Sequence, residues 1–154
     1  IGLLCLQIFL AEEDVSPADR AAMERGARAL GSAFQKINFL RDLDEDSSTL
    51  GRTYFQQAPS GQINEATKSA LIAEIRRELA TAALTIDVLP ASARVGVSAA
   101  ADIFAELTNR LAATPATVLA TTRVSVPNHT KAWLAARAVR RRGHSSHPPH
   151  PAGD

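Results

Sequence analysis

Six residues within twelve positions carry the chemistry that is legible in this chain: Gln35, Asn38, Arg41, Asp42, Glu45 and Asp46. At about 100° per residue, Gln35, Asn38, Asp42, Glu45 and Asp46 project within roughly 100° of one another on a helix, so they make one polar stripe. Ala33, Ile37 and Leu40 fall on the opposite side, Phe34 and Phe39 flank the acids, and Asp44 points away from them.

An acidic helix face is most simply a solvated surface, where charges of opposite sign alternate at i and i+4. Asp42 has no cation at those spacings, and only Glu45 has a local partner, in Arg41. The acids also sit at the C-terminal end of the expected helix, where the macrodipole disfavours each by about 0.3–1 kcal/mol at exposed sites. Positive charge from outside the helix would resolve the conflict, and a hard divalent cation such as Mg²⁺, held by one or two carboxylates plus phosphate, is the simplest source. Downstream, Gly51-Arg52-x-Tyr54 offers a tight turn and a planar guanidinium fork for phosphate oxygens.

These residues need a scaffold, and the composition specifies a helical one. Hydrophobic residues make up 45% and aromatics 5% of the 154 residues, Ala dominates, and β-branched runs are few, so helix is favoured on propensity. Ser16-Pro17 supplies an N-cap and a proline at the first helical position for a long helix reaching about Asp46, bent or broken near Gly26 or Gly31. Residues 47–61, rich in Ser, Thr, Gly and Gln, read as a long loop of the kind that often carries function. Asn64 caps a second helix over 65–88, with an apolar stripe of Ala66, Ala70, Ile72, Ala73, Ile75, Leu79, Ala83 and Ile86. A third helix spans about 92–113, residues 114–127 read as a connection, and Asn128 caps a last helix through Trp133 to Arg141.

The remaining features exclude more than they assign. The net charge is +1, which gives no overall field for nucleic acid, and the single cysteine rules out an intrachain disulfide. Cys5 lies in an apolar run and is expected in the core, and His129 has no visible partner. His144, His147 and His150 lie among prolines in a tail, 143–154, expected to be disordered, although their spacing also suits a transition metal. Arg137, Arg140, Arg141 and Arg142 beside Trp133 suit either an anionic membrane surface or a solvated helix end. The apolar start at Ile1 lacks the basic flank of a signal peptide and reads as a core helix entered midway, so the chain is expected to be a fragment.

Taken together, Gln35-x-x-Asn38-x-x-Arg41-Asp42-x-x-Glu45-Asp46 followed by Gly51-Arg52-x-Tyr54 resembles the second aspartate-rich motif of squalene and phytoene synthases. Ile1-Gly2-Leu3-Leu4 and the segment from Arg123-Val124 to Ala138 resemble the family's Val-Gly-Leu-Met segment and its closing connection and helix. The resemblance implies an all-α, terpenoid synthase-like bundle over residues 1–142, representing the C-terminal part of the domain, with an apolar central cavity. It implies that Asp42, Glu45 and Asp46 bind Mg²⁺ or Mn²⁺, that Gln35, Asn38, Arg41 and Arg52 serve the substrate diphosphate, and that Arg52 and Tyr54 are catalytic. The implied reaction is head-to-head condensation of two prenyl diphosphates, with NADPH needed only in a squalene-type enzyme. The implied location is cytoplasmic or peripheral at a membrane, without a nucleic-acid partner.

Two departures stand out. Phe55-Gln56 follows Tyr54 where the family usually has Leu-Pro, and no other Asp-x-x-x-Asp or Asp-x-x-Glu-Asp pattern occurs. The chain is therefore expected to be inactive without the missing N-terminal half of the domain. The alternative is a non-catalytic scaffold or assembly protein that shares the fold.

Overall fold

The computed structural model describes residues 2–11, 13–43 and 63–144, and the side chains of the last three of these are left aside. Six helices account for most of that chain: α1 (Gly2–Phe9), α2 (Pro17–Arg41), α3 (Glu65–Ile86), α4 (Ala91–Ala113), the single turn α5 (Ala116–Leu119) and α6 (Asn128–His144). No strand occurs among the described residues.

Two of the local start signals act as expected, whereas Asn128, expected as a cap, is itself the first residue of α6. Ser16 Oγ accepts from the Asp19 amide at 3.1 Å and Pro17 opens α2, while Asn64 Oδ1 accepts from the Thr67 amide at 2.8 Å to open α3. Both satisfy amides that have no partner within the helix. The connection after α4 contains the short helix α5, begun by Pro115, and α6 runs on to His144. Residues 145–154, with His147 and His150, lie outside the described residues.

Helix α2 is the central element and packs on α1, α3 and α4, most extensively on α3. Of the expected bend or break near Gly26 or Gly31, no break occurs, and the helix continues through both. Both glycines serve close approach instead: a Cβ at Gly26 would lie 1.8 Å from Thr85 Oγ1, and Gly31 faces Gly2 of α1. The helix also stops earlier than the acidic stripe suggested. Asp42 leaves helical geometry at φ −104° and ψ 20° while its amide still donates to Asn38 O.

Ala33, Ile37 and Leu40 of α2 are completely buried, as their spacing predicted, and pack with Ile72, Ile75, Leu107, Leu111 and Leu119. Each large aliphatic side chain so buried contributes about 1.5–3 kcal/mol by transfer from water. A second cluster joins Leu6, Leu10, Met23 and Leu89. The predicted α3 stripe is corrected in part, because Ala66, Ala70, Ala73 and Ala83 are exposed. A methyl group gains little from burial, so the neighbours of α3, not its alanines, decide its inner face. Lys68 is buried there instead, donating to Thr114 O at 2.6 Å and pairing with Glu65 at 2.8 Å. Glu65 in turn accepts from the Ala116 amide at 2.6 Å, so one ion pair ties the end of α4 to the start of α5. Lys68, with the Ala116 amide, holds the Glu65 carboxyl below its ordinary range.

Cys5, expected in the core, is exposed. Helix α1 touches α2 along one face, which takes Leu6 and leaves Leu4, Cys5 and Ile8 outward. Among the described residues, no helix is long and apolar enough to cross a membrane.

Candidate functional site

An apolar cavity of about 770 Å³ lies between α1, α2, the end of α3 and the first half of α4. Leu6, Phe9, Met23, Leu30, Phe34 and Val97 supply much of its wall. Phe34 is fixed by stacking on Phe104 of α4 at a centroid distance of 3.8 Å. The small residues Gly2, Gly26, Gly31 and Gly96 also line it, so close helix contacts and open volume occur side by side. A space of this size and lining suits an extended hydrocarbon group rather than a polar one.

The polar stripe of α2 meets this cavity at its C-terminal end. Gln35 and Asn38 both line it, one turn apart. Asn38 Oδ1 is buried and has no hydrogen-bond partner among the described residues. A buried amide oxygen left unpaired costs about 1–3 kcal/mol, so this atom is poised to accept a donor or a cation.

Asp42 follows after one further turn, but its surroundings differ from the sequence expectation. The Arg41 guanidinium forks onto it, Nε to Oδ1 at 2.8 Å and Nη2 to Oδ2 at 2.6 Å, and Arg123 Nε approaches Oδ1 at 3.3 Å. The Arg41 hydrogen bonds hold the Asp42 carboxyl below the ordinary carboxylate range; burial opposes them and the Arg123 charge adds to them. The carboxylate with no cation at helical spacing thus has two, in place of the divalent ion that the sequence suggested. Arg41 reaches its immediate chain neighbour once Asp42 leaves the helix, and Arg123 arrives from the segment before α6, a meeting that only folding brings about.

Of the residues predicted to act together, the structure brings Gln35, Asn38, Arg41 and Asp42 to one end of α2. Glu45, Asp46, Arg52 and Tyr54, with the loop that carries the last two, lie outside the described residues. Asp42 is the one predicted metal ligand that is described, and no group of three metal-capable side chains occurs among the described residues.

Behind the stripe lies a charged cluster that the sequence did not announce. Lys36, 7% exposed, donates to Glu74 at 2.6 Å, Glu78 at 2.5 Å and Ser32 at 3.1 Å, while Ser32 donates to Glu78 at 2.8 Å. Burial lowers the Lys36 pKa, but the hydrogen bonds and charges of the two glutamates outweigh it, leaving the ammonium above its ordinary 10.5. This cluster clamps α2 to α3 directly beside the cavity, which Ser32 lines. The Glu74-x-x-x-Glu78 spacing was its only trace in the sequence.

The described residues form an all-α bundle that holds an apolar cavity against a helix bearing amide and acidic groups. The sequence comparisons identify its lineage. The chain belongs to the squalene/phytoene synthase family, whose model matches residues 1–130. It is similar to a bifunctional lycopene cyclase/phytoene synthase of Blakeslea trispora, at 29% identity over 70% of this chain. The chain covers about 20% of that relative's length. No solved structure matches it significantly.

Proposed function

We propose that the chain carries the second diphosphate site of a prenyltransferase that joins two prenyl diphosphates head to head in squalene or carotenoid biosynthesis. The observation that carries this reading is the position of Asn38, whose unpartnered buried oxygen lies on the wall of an apolar cavity one turn before Asp42. An amphipathic substrate with a hydrocarbon tail and an anionic head has both requirements answered along this one helix.

The cavity walls hold the tail and exclude water from the reacting carbon. Arg41 and Arg123 lie at the end where the diphosphate head belongs, and their guanidinium groups suit its oxygens in bidentate geometry. As the allylic C–O bond breaks, both its electrons leave on the diphosphate, and these cations answer that developing charge. The family resemblance adds Arg52 and Tyr54 to this set.

The donor chemistry fits Mg²⁺: the Asn38 amide oxygen and the Asp42 carboxylate are hard oxygen ligands, and the family resemblance adds the carboxylates of Glu45 and Asp46. When bound, the ion would neutralise diphosphate charge and so favour its departure. In the free chain Arg41 and Arg123 occupy Asp42, so ligand binding would exchange one set of partners for another.

A second reading, a scaffold of the same fold, is favoured by that pairing, because Arg41 and Arg123 already answer the Asp42 charge. Calorimetric titration with a non-hydrolysable farnesyl or geranylgeranyl diphosphate analogue separates the two. Under the prenyltransferase reading, binding requires Mg²⁺ and disappears in Asp42→Asn/Asp46→Asn. A folded wild-type chain with no metal-dependent binding supports the scaffold instead.

A further inference from the structure

The apolar cavity has a closed end. Leu6, Met23 and Leu89 line it and also belong to the second core cluster, in which Met23 is 2% exposed. Asn38 lines the opposite end, one turn before Asp42. Met23 and Asn38 lie on the same unbroken helix, and at about 1.5 Å per residue their separation makes the cavity about 22 Å long.

Gly96 of α4 forms part of the same wall, next to Val97, which packs on the cluster that closes the cavity. The other glycines of the wall are held small by close neighbours: a Cβ at Gly26 would strike Thr85, and one at Gly31 would press on Gly2. A Cβ at Gly96 would meet nothing within 4 Å among the described residues. Glycine inside a helix is disfavoured relative to alanine. Packing among the described residues therefore gives no reason for glycine here, and the space that its missing side chain leaves belongs to the cavity.

We propose that Gly96 sets the length of the prenyl tail that the cavity takes, and that this tail has four isoprene units and not three. The inference rests on the prenyltransferase reading and deepens it. An extended trans isoprene unit adds four main-chain carbons, about 5 Å at C–C bonds of about 1.5 Å. A tail of three units, about 15 Å from Asn38, ends near the level of Ala27 and leaves apolar wall uncovered down to Met23. A tail of four units, about 20 Å, reaches the closed end. Wall atoms facing an unfilled space lose their contacts on that side, so the longer tail is the better fit. The last unit needs width as well as depth, and the open position at Gly96, beside the closing cluster, supplies it.

Calorimetry of the full chain in Mg²⁺ with non-hydrolysable geranyl, farnesyl, geranylgeranyl and geranylfarnesyl diphosphate analogues tests the depth. Affinity is expected to rise at least about tenfold from farnesyl to geranylgeranyl, a gain that burial of two of the added carbons suffices to give. It should gain nothing further with geranylfarnesyl, whose last unit would run into Met23. Gly96→Phe fills the open space, so it is expected to weaken the geranylgeranyl analogue at least about tenfold and to leave the farnesyl analogue within about twofold. Gly96→Leu should act in the same direction with a smaller side chain, and circular dichroism checks that each variant is folded. The wild-type series decides the tail length without any variant. The inference is overturned if wild type binds the farnesyl analogue as tightly as the geranylgeranyl one, if affinity still climbs with geranylfarnesyl, or if the folded variants weaken both lengths alike or neither. Binding of no analogue of any length would refute the prenyltransferase reading itself, and this inference with it.

Discussion

Replacing Lys36 with methionine removes the one cation that Glu74 and Glu78 share in the described structure. Lys36 is 7% exposed and makes three hydrogen bonds, to Ser32, Glu74 and Glu78. Breaking a buried ion pair costs about 3–5 kcal/mol, chiefly because a charge is left without a partner. Glu74 keeps 46% of its side-chain exposure and can return to water, which places the loss near the lower end, at about 3 kcal/mol. Glu78 bears most of the penalty: among the described residues it would retain only the Ser32 hydroxyl, and its Oε2 already lacks a partner there. In a chain of this size, about 3 kcal/mol corresponds to a fall in Tm of about 6–12 °C. Urea unfolding of Lys36→Met, Glu78→Gln and the double variant forms the measurement. The double variant is expected to recover at least about 1 kcal/mol over Lys36→Met, because the stranded charge is gone. A loss below about 1 kcal/mol in Lys36→Met, or no recovery in the double variant, would refute the view that this cluster clamps α2 to α3. The raised Lys36 pKa sets the pH dependence. The stabilisation is fully present below the unfolded value near 10.5 and is lost as pH rises through the higher folded value, so wild type and Lys36→Met should converge at strongly alkaline pH.

Three further outcomes follow from the site. Asn38→Leu removes an unpaired buried oxygen, so denaturant unfolding should show unchanged or increased stability, by up to about 1 kcal/mol, while calorimetry shows loss of Mg²⁺-dependent binding of the prenyl diphosphate analogue. Asp42 has a lowered folded pKa, so its stabilisation is present above the ordinary 3.8 and lost as pH falls through the folded value; Asp42→Asn should flatten the acid limb of the stability profile below about pH 4. Gly26→Ala puts a methyl group 1.8 Å from Thr85 Oγ1 and 2.9 Å from Thr85 Cβ. Overpacking of about 1–3 kcal/mol should exceed the helix-propensity gain of about 1 kcal/mol, lowering Tm, and a smaller penalty in a Thr85→Ala background would confirm the contact.

The sequence by itself determined the long helices to within a few residues, though not the single turn α5, together with the inner face of α2 and the family. Ser16-Pro17 and Asn64 act on amides within their own first turns, and Ala33, Ile37 and Leu40 recur at the period of a single helix, so both signals are local and survive without tertiary information. The motif from Gln35 to Tyr54 is likewise contiguous, which is why it pointed to the squalene/phytoene synthases before any coordinate. Only the tertiary structure decided which charges are answered and which apolar residues are covered. Asp42 showed no cation at helical spacing because Arg123 is remote in the chain; the Lys36 cluster went unread because Glu74 and Glu78 belong to another helix; Cys5 looked buried because α1 is apolar on more sides than α2 can cover. In each case the outcome depends on which face meets which neighbour. Desolvation and Coulomb energy act through space at a few ångströms, and separation along the chain carries no record of that distance.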